Sequence, residues 1–87
     1  MKDMKNNCLF LISNDEFDYR IFSSVVMIPD YGYATTYGIS ISGDNVHECV
    51  EDITDEFDRL KNFCELLCIE KAYPEHLKDL VEDFLVM

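Results

Sequence analysis

The hydrophobic periodicity of the chain changes once, near residue 53, and this change decides the fold class. Before it, apolar and polar residues alternate, most clearly where one face collects Tyr33, Thr35, Tyr37, Ile39 and Ile41. Alternation of this kind predicts strands that pack on one face. After residue 53, apolar residues recur at spacings of three and four, which predicts amphipathic helices. The sequence therefore predicts an α+β fold in which the strands precede the helices.

Clusters of turn-forming residues divide the first half of the chain into strands. The clusters are Asn14-Asp15, Pro29-Asp30-Tyr31-Gly32 and Ser42-Gly43-Asp44-Asn45. They separate predicted strands near residues 5–13, 16–28, 33–42 and 46–52. Acidic residues in the last segment indicate that it lies at the edge of the sheet. The short connections predict an antiparallel meander of three to four strands.

The second predicted strand carries apolar residues on both faces. Those predicted to face the core occupy odd positions: Phe17, Tyr19, Ile21, Val25 and Met27. Three others break that alternation: Phe22, Val26 and Ile28. Either a bulge near Ser23-Ser24 realigns the strand, or these three side chains form an apolar patch on the second face.

Two helical stripes follow. The first consists of Phe57, Leu60, Phe63, Cys64, Leu67 and Cys68, and the second of Leu77, Leu80, Val81, Phe84 and Leu85. Thr54 is the predicted N-cap of the first helix, and Pro74 suits the first position of the second. About three residues connect the helices, which predicts a helical hairpin. We expect residues 54–87 to pack as this hairpin on one face of a meander of residues 1–53, within a single domain of residues 1–87.

The charge of the chain is strongly negative and uneven. Eighteen acids stand against seven bases, which gives a net charge of −11. Residues 1–43 hold five acids and three bases, whereas residues 44–87 hold thirteen acids and four bases. The resulting potential repels nucleic acid and anionic lipid and attracts basic surfaces. We therefore expect a protein partner with a basic surface, and no direct contact with nucleic acid.

The longest apolar run near the N-terminus indicates neither secretion nor membrane insertion. Residues 8–12 form this run, and five residues are too few for a signal peptide or a membrane span. We expect a cytoplasmic protein without membrane contact. In that compartment its cysteines, Cys8, Cys49, Cys64 and Cys68, are expected to be free thiols.

The densest charged feature contains seven carboxylates within fifteen residues: Asp44, Glu48, Glu51, Asp52, Asp55, Glu56 and Asp58. One interpretation is structural, because edge strands and helix N-termini both favour acidic residues. The other is a contact with a basic protein surface, in the sharpest form a mimic of nucleic-acid phosphates. Tyr31 lies in a predicted turn and is the aromatic residue best placed to anchor such a contact.

The chain holds candidate metal ligands but no complete catalytic motif. His47, Cys49, Cys64, Cys68 and His76 are residue types that bind zinc. Cys64 and Cys68, however, fall on the apolar stripe of the first helix, which favours buried thiols. The acidic stretch lacks the spacing of a calcium loop. His76 has no partnered nucleophile in the sequence, so we expect neither enzyme activity nor a cofactor.

Three motifs resemble a known family. They are Tyr37-Gly38-Ile39, Val50-x-Asp52-Ile53-Thr54-x-x-x-Phe57 and Pro74-Glu75-His76-Leu77-x-Asp79-x-x-Glu82-Asp83-Phe84. Over residues 33–86 the chain resembles a family of short, acidic clostridial proteins of unknown function, a resemblance that implies no activity. In size and composition it is also similar to small acidic phage-encoded inhibitors of bacterial defence nucleases, including those that act on CRISPR enzymes.

Two functions compatible with these features remain open. The first is a non-enzymatic binding module that blocks the basic channel of a nucleic-acid-handling protein through residues 44–58 and Tyr31. The second is a self-associating regulatory or structural domain that forms a homodimer through Phe22, Val26 and Ile28. Salt-dependent binding is expected of the first and a stable dimer of the second.

Overall fold

A computed structural model describes residues 8–86 of the chain. Four antiparallel strands, β1 (Cys8–Ser13), β2 (Asp18–Ile28), β3 (Gly32–Gly43) and β4 (Val46–Thr54), form one sheet in the order β1-β2-β3-β4. Two helices follow, α1 (Phe57–Ile69) and α2 (Leu77–Leu85). The predicted α+β fold, a meander followed by a helix pair, is confirmed with four strands. The part of the first predicted strand before Cys8 and the last residue of the second predicted helix, Met87, lie outside the described residues.

The helices cover the face of the sheet that the alternation predicts as its core side. On that face Tyr19 and Ile21 of β2 pair with Ile41 and Ile39 of β3, and all four side chains are fully buried. The helical stripes supply the other side of the core with Leu60, Phe63, Cys64, Leu67, Cys68, Leu77, Val81 and Phe84. The rings of Phe63 and Phe84 stack at 4.5 Å and join the two helices.

The outer part of the β2–β3 hairpin projects beyond this core, which the sequence did not predict. Val25 and Met27 were expected to be buried, but they are 67% and 68% exposed, and Tyr33 opposite Met27 is 75% exposed. The helical layer begins where the Phe57 ring meets the Tyr37 ring at 5.3 Å. Residues 23–36, which we call the arm, continue the same face past that point without a helix above it.

The bulge considered near Ser23-Ser24 is wrong, because the pairing of β2 with β3 runs in register from Asp18↔Ser42 to Ile28↔Gly32. The register shifts instead at Cys8–Phe10 in β1 and in β4. In β4 three residues stand opposite Gly38, and Asp52 adopts a positive φ of 56°. The two extra residues reset the pleat, so that Val50 and Ile53 both pack on the core although three positions separate them.

The helix boundaries differ from their predictions. Thr54 is the last residue of β4 rather than an N-cap, and α1 begins three residues later at Phe57. Thr54 Oγ1 accepts a hydrogen bond from the Glu56 N–H at 3.2 Å, while pairing of Thr54 with Tyr37 keeps the chain in the sheet. Pro74–His76 form a separate 3-10 turn, so α2 begins at Leu77. In both cases the tertiary contacts hold extra residues outside the helix.

Candidate functional site

The seven carboxylates of the predicted contact site follow one rim of the molecule. Asp44 lies in the β3–β4 turn, Glu48, Glu51 and Asp52 lie on the edge strand β4, and Asp55 and Glu56 connect that strand to α1. Asp58 lies in the first turn of α1. All seven side chains are exposed. The structure therefore places these residues in succession along one edge of the sheet, with Glu48 on the face of Ile41 and Glu51 on the opposite face. We call this row the acidic edge.

The acidic edge carries almost no internal compensation of its charge. Within the part of the chain that the structure describes, Glu56 forms an ion pair with Arg59 at 3.5 Å. Among the same described residues, the ion pairs Asp18–Arg20 and Asp15–Lys71 and the contact between Glu75 and His76 lie outside the acidic edge. Adjacent carboxylates without cations repel one another. Repulsion within the acidic edge therefore raises the free energy of the isolated chain. A cationic surface that approaches the acidic edge relieves this repulsion and lowers the free energy.

Part of the acidic edge has a structural explanation. Within residues 8–86, β4 has no strand on its outer side, and charges together with a bulge on such an edge prevent it from pairing with strands of other molecules. Glu48, Glu51 and the bulged Asp52 suit that purpose. Asp58 lies at the positively polarised N-terminus of α1, where acids are stabilised. Neither explanation requires seven carboxylates in succession.

Tyr31 does not join the acidic edge. It lies in the β2–β3 turn, is 85% exposed, and its N–H donates to the Ile28 carbonyl oxygen at 3.0 Å. Five residues of β3 separate it from Tyr37, the partner of Thr54 at the end of β4, a distance of roughly 20 Å along a strand. A single contact that includes both Tyr31 and the acidic edge must therefore span the length of the arm.

The candidate zinc ligands are dispersed. Cys64 and Cys68 are buried in the core, whereas Cys8 and Cys49 are exposed thiols on the sheet. Among residues 8–86 no three His, Cys, Asp or Glu side chains lie close enough together to hold a metal ion. Burial, together with the neighbouring Cys68 and Glu65, raises the pKa of the Cys64 thiol to about 12. That thiol stays protonated at neutral pH, which suits a core residue rather than a ligand or a nucleophile.

His76 has only a local partner. Its Nε2 lies 3.8 Å from a carboxylate oxygen of its neighbour Glu75, and both side chains are largely exposed. Its ring lies 6.4 Å from the ring of Tyr73. These contacts place His76 on the surface beside a carboxylate.

The face of the sheet opposite the helices holds a shallow groove that sequence reasoning missed. Its volume is about 580 Å³, and it is lined by Cys8, Arg20, Phe22, Ser40, His47, Cys49 and Glu51. Arg20 crosses it, with Nη1 donating to Ser42 Oγ at 3.1 Å and Nη2 lying 3.7 Å from Asp18. Phe22 lies directly over Gly38. The alternation of β2 placed Phe22 on this face, but residues from four strands complete the groove.

The apolar patch predicted from Phe22, Val26 and Ile28 is less exposed than the opposite side of the arm. Phe22 and Val26 are half-buried and Ile28 is 39% exposed. The most exposed apolar side chains on the strands of the arm are instead Val25, Met27 and Tyr33, which were predicted to face the core. The sequence did contain a sign of this exposed apolar surface, because residues 23–36 contain a single charged side chain, Asp30.

Comparison with known proteins identifies the family but no function. The family model of DUF6514, a family of unknown function, matches residues 3–87, and the chain belongs to this family. The match includes the first hairpin, which the resemblance over residues 33–86 left out. No curated protein and no solved structure matches the chain. Within residues 8–86 no helix is both long and apolar enough to cross a membrane.

Proposed function

We propose that this member of DUF6514 is a non-enzymatic module that binds a basic surface of another protein through its acidic edge. The observation that carries this proposal is the row of exposed carboxylates along β4 and the start of α1, of which only Glu56 has a cation within 4.0 Å among the described residues. A basic partner removes the repulsion within this row and gains complementary charges. The row also steers such a partner toward one side of the molecule.

More specifically, we propose that the partner is a cytoplasmic nucleic-acid-handling protein, such as a CRISPR enzyme or another defence nuclease. The domain then acts as an inhibitor that occupies the basic channel of that protein in place of DNA or RNA. Such channels are built to attract a line of negative charges. The acidic edge supplies such a line on a folded surface, and no reaction is required of the domain.

The spacing of the charges indicates how closely the acidic edge imitates a nucleic acid. β4 carries three carboxylates among nine residues, Glu48, Glu51 and Asp52, which is about one charge per 10 Å at the rise of an extended chain. A DNA strand carries about one charge per 3.4 Å. β4 therefore offers about one third of the charge density of one strand of DNA, and we expect its binding to depend less steeply on salt than the binding of DNA.

The experiment compares two variants of equal net charge. The edge variant combines Glu48→Gln, Glu51→Gln, Asp55→Asn and Asp58→Asn. The control variant combines Glu70→Gln, Asp79→Asn, Glu82→Gln and Asp83→Asn, all exposed and outside the acidic edge. Each set raises the net charge from −11 by four. Any difference between the two variants therefore reports the position of the charges and not their number.

The measurement is inhibition of DNA cleavage by a panel of purified CRISPR and other defence nucleases, at low and at high salt. We expect the wild type and the control to inhibit at least one nuclease, the edge variant to be weaker by about tenfold or more, and the inhibition to weaken as salt rises. Equal losses in both variants, or inhibition that does not respond to salt, would contradict a role for the acidic edge.

A further inference from the structure

The uncovered face of the arm is a contiguous apolar surface. Met27 lies opposite Tyr33 and Val25 lies opposite Thr35 in the paired strands, so their side chains form one cluster on the face that the helices cover elsewhere. Val25, Met27 and Tyr33 are each at least two-thirds exposed, and Tyr31 at the tip is more exposed still. A clustered apolar surface on a small protein indicates a contact with another molecule.

The arm carries little charge. Asp30 is the only charged residue among residues 23–36, while the whole chain carries −11. A basic partner is attracted to the acidic edge and gains little from a ribbon with a single charge. Two copies of the chain, in contrast, repel each other wherever their acidic surfaces meet. The arm is therefore the surface through which two copies can approach at the lowest electrostatic cost.

The described part of the chain gives the arm little support. Among residues 8–86 its strands pair only with each other, because β4 leaves the sheet after Thr54 and the described part of β1 ends opposite Phe22. A two-stranded ribbon without a packed face is marginally stable in water. If the arm packs against a second apolar face, that face covers it as the helices cover the rest of the sheet.

We propose that two copies of this chain form a two-fold symmetric dimer through the uncovered faces of their arms. Val25, Met27, Tyr31 and Tyr33 expose on the order of 600 Å² per copy, so an interface that covers all four in both copies buries at most on the order of 1,200 Å², the lower limit of a stable interface. The arms lie antiparallel, because this arrangement sets the tip of each arm, whose one charged residue is Asp30, against the base of the other. A parallel arrangement would bring together the two acidic edges, which begin beside Tyr37.

The first test measures the molar mass by light scattering during gel filtration, over a range of protein concentrations. We expect the wild type to rise from 10.2 kDa toward twice that mass with concentration. The variant Val25→Thr/Met27→Thr/Tyr33→Thr keeps β-forming residues and is expected to bind itself more weakly by roughly two orders of magnitude. The control Val46→Thr/Ile69→Thr alters exposed apolar residues outside the arm and is expected to dimerise like the wild type.

Circular dichroism of each variant separates loss of dimerisation from loss of folding. A wild type that stays at 10.2 kDa at every concentration overturns the proposal and assigns the arm to a different partner. A folded arm variant that still dimerises overturns it as well. We also expect added salt to strengthen the dimer, because it screens the repulsion between the two chains.

That salt response is opposite to the one expected for a basic partner. Failure of the dimer and failure of the proposed inhibitor function are therefore distinguishable.

A cross-linking experiment locates the interface. In a background in which the exposed thiols are removed by Cys8→Ser and Cys49→Ser, Thr35→Cys places a thiol in the centre of the uncovered face. Packed sheets lie about 10 Å apart, so a bismaleimide of that length is expected to join two copies. Ile69→Cys, at an exposed position at the end of α1, is the control. Cross-linking of Ile69→Cys but not of Thr35→Cys would overturn the arm as the interface.

Discussion

Gly38 is the point at which β3, β4 and Phe22 come closest together. A Cβ atom at this position would collide with the Val50 carbonyl oxygen and would lie 2.8 Å from Cζ of Phe22 and 2.9 Å from the Glu51 Cα. Two of these three contacts are backbone atoms of the β4 bulge, which cannot move without shifting Ile53. The close approach of the β4 bulge, and not the backbone conformation of residue 38, therefore requires glycine at this position.

Gly38→Ala is expected to lower the free energy of unfolding by about 2–3 kcal/mol, because the added methyl group forces the bulge or the Phe22 ring to move. Urea denaturation followed by circular dichroism measures the change. Thr35→Ala, at an exposed position of the same strand, is the control and is expected to lower it by less than about 1 kcal/mol. Equal stability of Gly38→Ala and the wild type would show that β4 does not approach Gly38 this closely.

The Cys64 thiol makes stability depend on alkaline pH. Its pKa rises from 9.0 to about 12 in the folded chain through burial. Below pH 9 both states keep the proton and the full stability is present. Between about pH 9 and pH 12 the unfolded state loses its proton first, so the free energy of unfolding is expected to fall as pH rises. Urea denaturation at several pH values measures this fall.

Cys64→Ala separates this effect from other alkaline titrations. It is expected to lower stability at neutral pH by roughly 1 kcal/mol through the lost volume, and to make the decline above pH 9 shallower. The decline does not vanish, because burial also raises the pKa of Cys68 and of the Tyr19 phenol. An unchanged decline in Cys64→Ala would mean that the Cys64 thiol titrates alike in both states.

At the scale of elements, one polar cluster connects the first hairpin to the end of α1. Asn14 Oδ1 accepts the N–H groups of Glu16 and Phe17 at 2.8 Å each and thereby shapes the β1–β2 turn. Its Nδ2 donates to the Cys68 carbonyl oxygen at 3.0 Å. The Tyr19 hydroxyl donates to the Ala72 carbonyl oxygen at 2.8 Å. These bonds satisfy carbonyl groups at and beyond the C-terminal end of α1, and they fix the position of the connection to α2.

Tyr19→Phe is expected to lower the free energy of unfolding by about 1–2 kcal/mol, because it removes the hydroxyl that donates a hydrogen bond to the Ala72 carbonyl oxygen and keeps the aromatic ring. Tyr37→Phe is the matched control, since the Tyr37 hydroxyl makes no hydrogen bond to the described residues, and its cost is expected to stay below about 0.5 kcal/mol. Hydrogen exchange is expected to accelerate in residues 70–76 of Tyr19→Phe alone. Equal stability of the two variants would contradict the role of this cluster.

At the scale of the whole molecule, the net charge of −11 opposes the compact state, because folding concentrates the carboxylates of the acidic edge on one rim. We expect the thermal midpoint of dilute protein to rise when sodium chloride is increased from about 0.01 M to about 0.1 M, which shortens the screening length from roughly 30 Å to roughly 10 Å. Calorimetry or circular dichroism measures the rise.

The edge and control variants described above test the origin of this rise. Both remove four charges, but only the edge variant removes closely spaced ones, so its salt response is expected to be the smaller of the two. Identical responses would show that the repulsion is spread over the whole surface. The measurement is made at a concentration where light scattering shows a monomer, so that dimerisation does not contribute.

Much of the fold was predictable because it depends on local patterns. Alternation in β3 and the three-and-four spacing in α1 are intrinsic to each segment, and turn residues such as Gly43 separate the segments. The order of strands and helices follows from those patterns. The acidic edge was also visible, because its residues are close in sequence and remain close when they follow one edge strand.

Other features depend on what packs against each segment, and only the tertiary structure decided them. Alternation shows that Val25 and Met27 share a face with Tyr19, but it does not show where the helices above that face begin. The length of the helical layer sets that limit at Tyr37 and leaves the rest of the face open. Likewise the bulge at Asp52 follows from the need to bury both Val50 and Ile53, which depends on the contact with the helices.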